Sequence, residues 1–240
     1  MAPHFFILCT LLTFSSCFDV ISAAMNYVVT IESPNHPGSI KFNKIIGGIP
    51  YTKQTMGKVN NFIWSTIFKQ NTPAERKPIN TVLVTIKDYK GAEAITWDEN
   101  KINVSAVYLD KYEGDLKWEF TSLLYHEMTH VFQWYGEGKC PVSLQEGVAD
   151  YTILKANYFP PKFAKRGQGD KWDQGYDYTA RFLEYCDGLV PDFVAKLNKM
   201  MRKTYDESFF KTLTGKPVGQ LWKEYKAKYA GKPGAKRTED

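Results

Sequence analysis

His126-Glu127-Met128-Thr129-His130 is the stretch of this sequence best equipped for chemistry. On a helix, residues four apart project from one face, so His126 and His130 can each offer a ring nitrogen to the same metal ion. Glu127, beside the first histidine, can take the proton of an attacking water as a general base. The pattern is short, and an ordinary amphipathic helix with two surface histidines would also satisfy it. Two of the four histidines of the chain fall in it, and a third, His4, lies in the N-terminal leader discussed below. A catalytic zinc needs a third protein ligand and an open fourth position. A glycine and a third histidine, three and six residues after His130, would supply one familiar arrangement, but Gln133 and Gly136 stand there. The run Leu144-Gln145-Glu146-Gly147-Val148-Ala149-Asp150-Tyr151 offers carboxylates instead. Glu146, sixteen residues after His130, is the candidate third ligand. Asp150, one turn further on, can accept the second ring N–H of a ligand histidine and fix its orientation. Each has a competing reading: Ser143 and Glu146 have capping-box spacing, and Asp150 can be a solvated acid on a helix surface.

The elements that must carry these residues follow from periodicity. Phe120, Leu124, Met128, Val131 and Tyr135 recur at helical steps, predicting a helix over Leu116–Tyr135 with the metal-binding face opposite the apolar one. Gly136 to Pro141 reads as the turn that reverses the chain. A second helix from Ser143 to Tyr158, with Ser143 at its N-cap, would return Glu146 to the histidines. Further helices are predicted over 52–70, 176–187, 192–205 and 218–229, with Asp192 as an N-cap. Alternating, β-branched runs predict strands over 26–32, 81–87, 92–97 and 101–109, the last two joined by Asp98-Glu99-Asn100. A β-rich first half followed by a helical half is the α+β class, here with an N-terminal mixed β-sheet layer, a helical C-terminal half and an active-site helix.

Composition bounds the rest. The chain has 240 residues, 43% hydrophobic and 24% charged, enough for one domain with a sizeable core. The apolar run Phe5 to Phe14, followed by Ser22-Ala23-Ala24, predicts a cleavable signal peptide over residues 1–24. It is too short to span a bilayer, and with no second such run stable membrane insertion is not expected. Residues 25–230 then form one domain, and the Gly-, Pro- and charge-rich 231–240 a flexible tail. Removal of Asp19 with the leader takes the net charge from +5 to +6, which favours anionic partners such as acidic cell-wall polysaccharide. The lysines are scattered without an aromatic-interleaved stripe, so nucleic acid is not an expected partner. Cys140 and Cys186 remain after cleavage, either as one disulfide or as two thiols. Asn103-Val104-Ser105 is an N-glycan acceptor sequence within a predicted strand.

Beyond these readings, LQEGVADY is similar to the third-ligand helix of glutamate-ligand zincins. Thermolysin-like enzymes have a Glu with an Asp four residues on, as Glu146 and Asp150 are spaced, and aminopeptidase-N-like enzymes have an EGxAxY-type run. More of the chain, from about residue 26 to 230, resembles the plant basic secretory proteins. The pieces that carry this are Leu124 to Trp134, Glu146 to Tyr151, Gln168 to Asp177 and Thr179 to Leu183. The resemblance implies a zincin-like fold, a zinc-dependent peptidase and an extracellular (apoplastic) setting in plant defence. Zinc would be held by His126, His130 and Glu146. Gly175-Tyr176-Asp177 is similar to the helix start that carries an oxyanion-binding tyrosine in aminopeptidase-N-like enzymes, which nominates Tyr176 over Tyr178 and Arg181. Trp134 and Trp172 are either cleft or core residues, with core the simpler role. The alternative function is a secreted defence or wall-binding protein whose metal is structural or vestigial; a protein without metal is the other rival.

Overall fold

The computed structural model describes residues 25–230; the leader over 1–24 and the tail over 231–240 lie outside the described residues. Four strands form one mixed sheet: β1 (Asn26–Ile31), β2 (Thr81–Lys87), β3 (Ala94–Trp97) and β4 (Lys101–Ser105), in the order β1-β2-β4-β3. β1 and β4 each run parallel to β2, while β3 runs antiparallel to β4 at the sheet edge. Alternation sorts the faces: Val29, Val82, Val84, Ile86, Ile102 and Val104 are buried, whereas Thr30 and Thr85 join hydroxyls on the opposite face. Asn103 belongs to that opposite face, opposite Thr85 on one side and Ile95 on the other. The hydroxyl of Ser105, in the same acceptor sequence, donates to Tyr89 O and accepts from Tyr108 N.

The parallel β1–β2 pair requires a long crossover. It contains the short helix α1 (Pro37–Lys41) and the longer α2 (Gly48–Phe62), which continues as a wider π-helical turn over Ile63–Ile67. Met56, Val59, Ile63 and Ile67 form the buried stripe of this segment, with Phe62 partly buried beside it. Some predicted boundaries are corrected. The strand expected over 101–109 stops at Ser105, and α3 (Ala106–Lys111) begins there. The Ser105 hydroxyl caps the new helix by accepting from Tyr108 N at 3.1 Å, and the apolar Ala106-Val107-Tyr108-Leu109 disguised the change of period.

The helical half follows. α4 (Leu116–Phe132) is capped by Asp115, which accepts from Trp118 N, and buries Phe120, Leu124, Met128 and Val131. Tyr135 is not on that face; α4 ends at Gln133, and the Tyr135 hydroxyl donates instead to Glu99 in the β3–β4 turn. α5 (Val142–Lys155) starts one residue earlier than expected, with Pro141 rather than Ser143 at its N-cap. α6 (Tyr176–Leu189), α7 (Phe193–Met200), α8 (Ser208–Thr214) and α9 (Val218–Tyr229) complete the described chain. Asp192 stands at the N-cap of α7 but makes no side-chain capping bond, pairing instead with Lys69. The buried apolar residues of sheet and helices form a continuous cluster from Val29 to Tyr225. Cys140 and Cys186 are buried free thiols, and burial pushes Cys140 up to about 12. No helix among the described residues is long and apolar enough to cross a membrane.

Gly147 shows how closely α5 and α6 pack. A Cβ there would lie 2.3 Å from Thr179 Cγ2 and 2.5 Å from Thr179 Cβ. Thr179 cannot swing aside, since its hydroxyl donates to Trp172 O and accepts from Gly175 N. Gly147→Ala should therefore lower stability by about 1–2 kcal/mol. Overpacking costs about 1–3 kcal/mol, partly offset by the roughly 0.5–1 kcal/mol gained from alanine in a helix. The urea midpoint measures this; an unchanged or higher midpoint would mean that α5 separates from α6 without cost.

Candidate metal centre

α4 packs against β3 at the sheet edge, and after the turn at Gly136–Gly138 α5 runs back alongside it, pairing Ser122 with Tyr158, His126 with Asp150 and His130 with Glu146. Gly136 permits this turn: its φ is +63°, and a Cβ would lie 2.7 Å from the backbone of Thr204 and Tyr205. The return brings together the residues separated in sequence. His126 Nε2 lies 3.0 Å from Glu146 Oε2 and 3.1 Å from His130 Nε2, and His130 Nε2 lies 3.5 Å from Glu146 Oε2. One ligand atom from each of the three residues lies within 4.8 Å of the others, so the group could hold a metal ion.

The surrounding hydrogen bonds orient the rings. His126 Nδ1 lies 2.8 Å from Asp150 Oδ1, so the solvated-acid reading of Asp150 does not hold; Asp150 is buried. Gln133 Nε2 lies 2.8 Å from His130 Nδ1. Glu146 Oε2 is engaged by His126, in place of the capping bond that its spacing from Ser143 suggested. Burial works against charge on both His126 and Glu146, but their mutual contacts outweigh it. Hydrogen bonds to Asp150 and Glu146 hold His126 protonated well above its ordinary range. Those from His126 and His130 bring Glu146 down to about 2. A site that binds a proton this strongly is one in which a positive charge is favoured, whether proton or metal cation.

Glu127 is 6% exposed and is not one of the three residues that could share a metal. Thr96, on β3, donates to Glu127 Oε2 at 2.6 Å and approaches Glu127 O at 3.0 Å. No local pattern signals this partner, because only the sheet order brings β3 against α4. Both residues face a cleft of 1240 Å³, also lined by His126, His130, Glu146 and Tyr176. Its wall includes the whole of β3, an edge strand with unpaired backbone groups on its outer side. Trp97, 47% exposed, is the indole in this wall. The tryptophans singled out earlier are elsewhere: Trp172 packs against Phe182 and Phe210, and Trp134 lies under Arg202.

Tyr176 begins α6 with φ +45°, a left-handed conformation that costs a bulky residue about 1–3 kcal/mol. It is 56% exposed, and its ring lies nearly parallel to that of His126, 6.3 Å between centroids. The Glu146 carboxylate first, then burial, raises its pKa, so its hydroxyl keeps its proton and remains a donor. Arg181 does not compete for this place; it donates to Ala164 O and Glu184.

Over 59 residues, 25% of this chain and 67% of the relative, the sequence is 44% identical to a protein from Boswellia serrata named basic secretory protease. No solved structure matches the chain significantly. Residues 22–225 match the family described as peptidases of plants and bacteria, and the chain belongs to that family.

Proposed function

We propose that this protein is a secreted zinc-dependent peptidase of the zincin type, acting on peptide or protein substrates in the plant apoplast as part of defence. The observation that carries the reading is the convergence of His126, His130 and Glu146 beside Glu127 in a cleft bounded by an edge strand. A tetrahedral ion about 2.0–2.2 Å from each ligand holds them roughly 3.3–3.6 Å apart. The ligand-atom separations are 3.0, 3.1 and 3.5 Å, so the first two pairs would open by a few tenths of an ångström to admit the ion. Two imidazoles and one carboxylate are a donor set of catalytic zinc, with the cleft side left for water and substrate.

Bound zinc supplies Lewis-acid polarisation of the scissile carbonyl and lowers the pKa of water at the site. The chain's residues supply the rest. Glu127, fixed by the Thr96 hydroxyl, accepts a proton from the attacking water and passes it to the leaving amine. Tyr176 donates to the oxyanion that develops on the scissile carbonyl. Asp150 holds His126 in orientation through Nδ1. β3 pairs its free backbone edge with an extended peptide.

The structural-staple alternative is disfavoured by the ligand count. Closed structural zinc sites have four protein ligands, often thiolates, whereas the metal-capable group contains three residues and Cys140 is not among them. Secretion is supported by the leader-like residues 1–24 and by the relative's name. Residues 25–230 would be the whole catalytic domain, and the basic mature chain would be attracted to acidic wall polysaccharide.

Purified protein should contain about one zinc per chain, lose peptide hydrolysis on chelation, and regain it with added zinc. Protein with far less than one zinc and no uptake on addition would overturn the proposal. Unaltered hydrolysis after complete metal removal would also overturn it.

A further inference from the structure

Gln133 is 1% exposed and lies where α4 ends, its backbone N–H closing the last turn on Thr129 O. Its side-chain Nε2 lies 2.8 Å from His130 Nδ1, while its Oε1 is buried without a hydrogen-bond partner. An amide NH₂ can only donate, so in this orientation His130 Nδ1 must accept and the ring proton sits on Nε2. That nitrogen faces His126 Nε2 and Glu146 Oε2, and with a proton on it His130 cannot ligate a metal. Amide oxygen and nitrogen are nearly equal in shape, and a half-turn of the terminal torsion exchanges them. After that exchange Oε1 accepts the proton of Nδ1–H, and Nε2 of the ring presents a lone pair to the site.

We propose that Gln133 is the positioning residue for His130, with its side-chain carbonyl accepting the Nδ1 proton and thereby selecting the metal-binding tautomer. This rests on the proposed metal site. The two histidines are then held by unlike groups, His126 by the Asp150 carboxylate and His130 by a neutral amide. The arrangement adds one anion behind the ligands rather than two. Gln133 is thus a part of the site supplied from the end of α4, which accounts for a buried polar side chain at that position.

The acceptor, not the bulk of the side chain, is what the proposal requires. Gln133→Met keeps the length but removes the carbonyl; Gln133→Glu keeps an acceptor. Zinc affinity, measured by competition with a chromophoric chelator, should fall about 10- to 100-fold in Gln133→Met. In Gln133→Glu it should stay within a fewfold of wild type or rise. Zinc-loaded, ¹⁵N-histidine-labelled protein gives a second readout independent of activity and of folding losses. The wild type should show a protected His130 Nδ1–H, and the correlation should be lost or rapidly exchanging in Gln133→Met. Wild-type protein that does not bind zinc would overturn the metal site itself. Wild type that binds zinc while both variants bind as tightly would overturn only the role of Gln133. Equal losses in both variants, or a His130 ring carrying its proton on Nε2 in the zinc form, would do the same.

Discussion

Glu127→Gln is expected to keep about one zinc per chain and a native fold while losing at least about a hundredfold in peptide hydrolysis. General-base catalysis is typically worth on the order of a hundred- to ten-thousand-fold. A glutamine has nearly the same shape but cannot accept a proton at neutral pH. The side chain is buried, so an arbitrary replacement there would confound chemistry with stability. Glutamine avoids this because its carbonyl oxygen can still accept the Thr96 hydroxyl hydrogen that now reaches Glu127 Oε2 at 2.6 Å. Glu127 is not in the group that could hold a metal, so zinc content should not follow activity downward. The measurement is kcat on a peptide substrate beside metal content and thermal unfolding of the same preparation. A variant that retains most of its activity would remove Glu127 from the mechanism and leave the peptidase reading without its proton carrier.

The metal-capable residues were legible in the sequence because helical periodicity is a local property. The i, i+4 spacing of His126 and His130 and that of Glu146 and Asp150 each define one face of one helix. A glycine-rich turn between two apolar-periodic segments implies that the faces meet. Residues brought in by other elements were not legible. Thr96 belongs to a four-residue strand whose alternation is unremarkable, and only pairing with β4 at the edge of the sheet puts it over Glu127. Gln133 stood out in sequence only for what it failed to be. Its significance appears when its buried oxygen is found without a partner next to His130. Gly147 read as part of a family-like run, but its physical reason is the closeness of Thr179, thirty-two residues away. The misplaced boundaries share one cause. Short-range signals such as Ser143 before Glu146, or Tyr135 in phase with Val131, persist past the point where a tertiary contact decides the geometry. Glu146 bonds His126 rather than a cap, and Tyr135 reaches across to Glu99.

Glu146→Ala should reduce zinc affinity on the order of a hundredfold or more, while Glu137→Ala should leave it unchanged. Zinc held by a full set of protein ligands contributes about 10–16 kcal/mol. One ligand's share is then roughly 3–4 kcal/mol, where each 1.4 kcal/mol is a factor of ten. Glu137 is an exposed carboxylate in the turn between the two helices, at φ +53°, and tests whether mere negative charge near the site suffices. The zinc-free proteins provide the opposing test. Above its unfolded pKa near 4.5 the Glu146 carboxylate stabilises the fold through its bonds with His126 and His130, and this contribution is lost as pH falls towards 2. The raised His126 works in the other sense: its stabilisation is complete below its unfolded pKa near 6.5 and is lost as pH rises through its folded value. Between those limits, around pH 6, the metal-free wild type should exceed Glu146→Ala in stability, and the margin should narrow in acid and again in alkali. Zinc should widen the margin at neutral pH, because the ion would be held by the same three side chains, of which Glu146→Ala lacks one. Competition titration with a chelator at neutral pH, beside urea unfolding of the metal-free forms across pH, separates the two contributions. Should Glu146→Ala bind zinc as tightly as the wild type and differ only in metal-free stability, Glu146 would be a structural partner of His126 and the third ligand would have to be another residue.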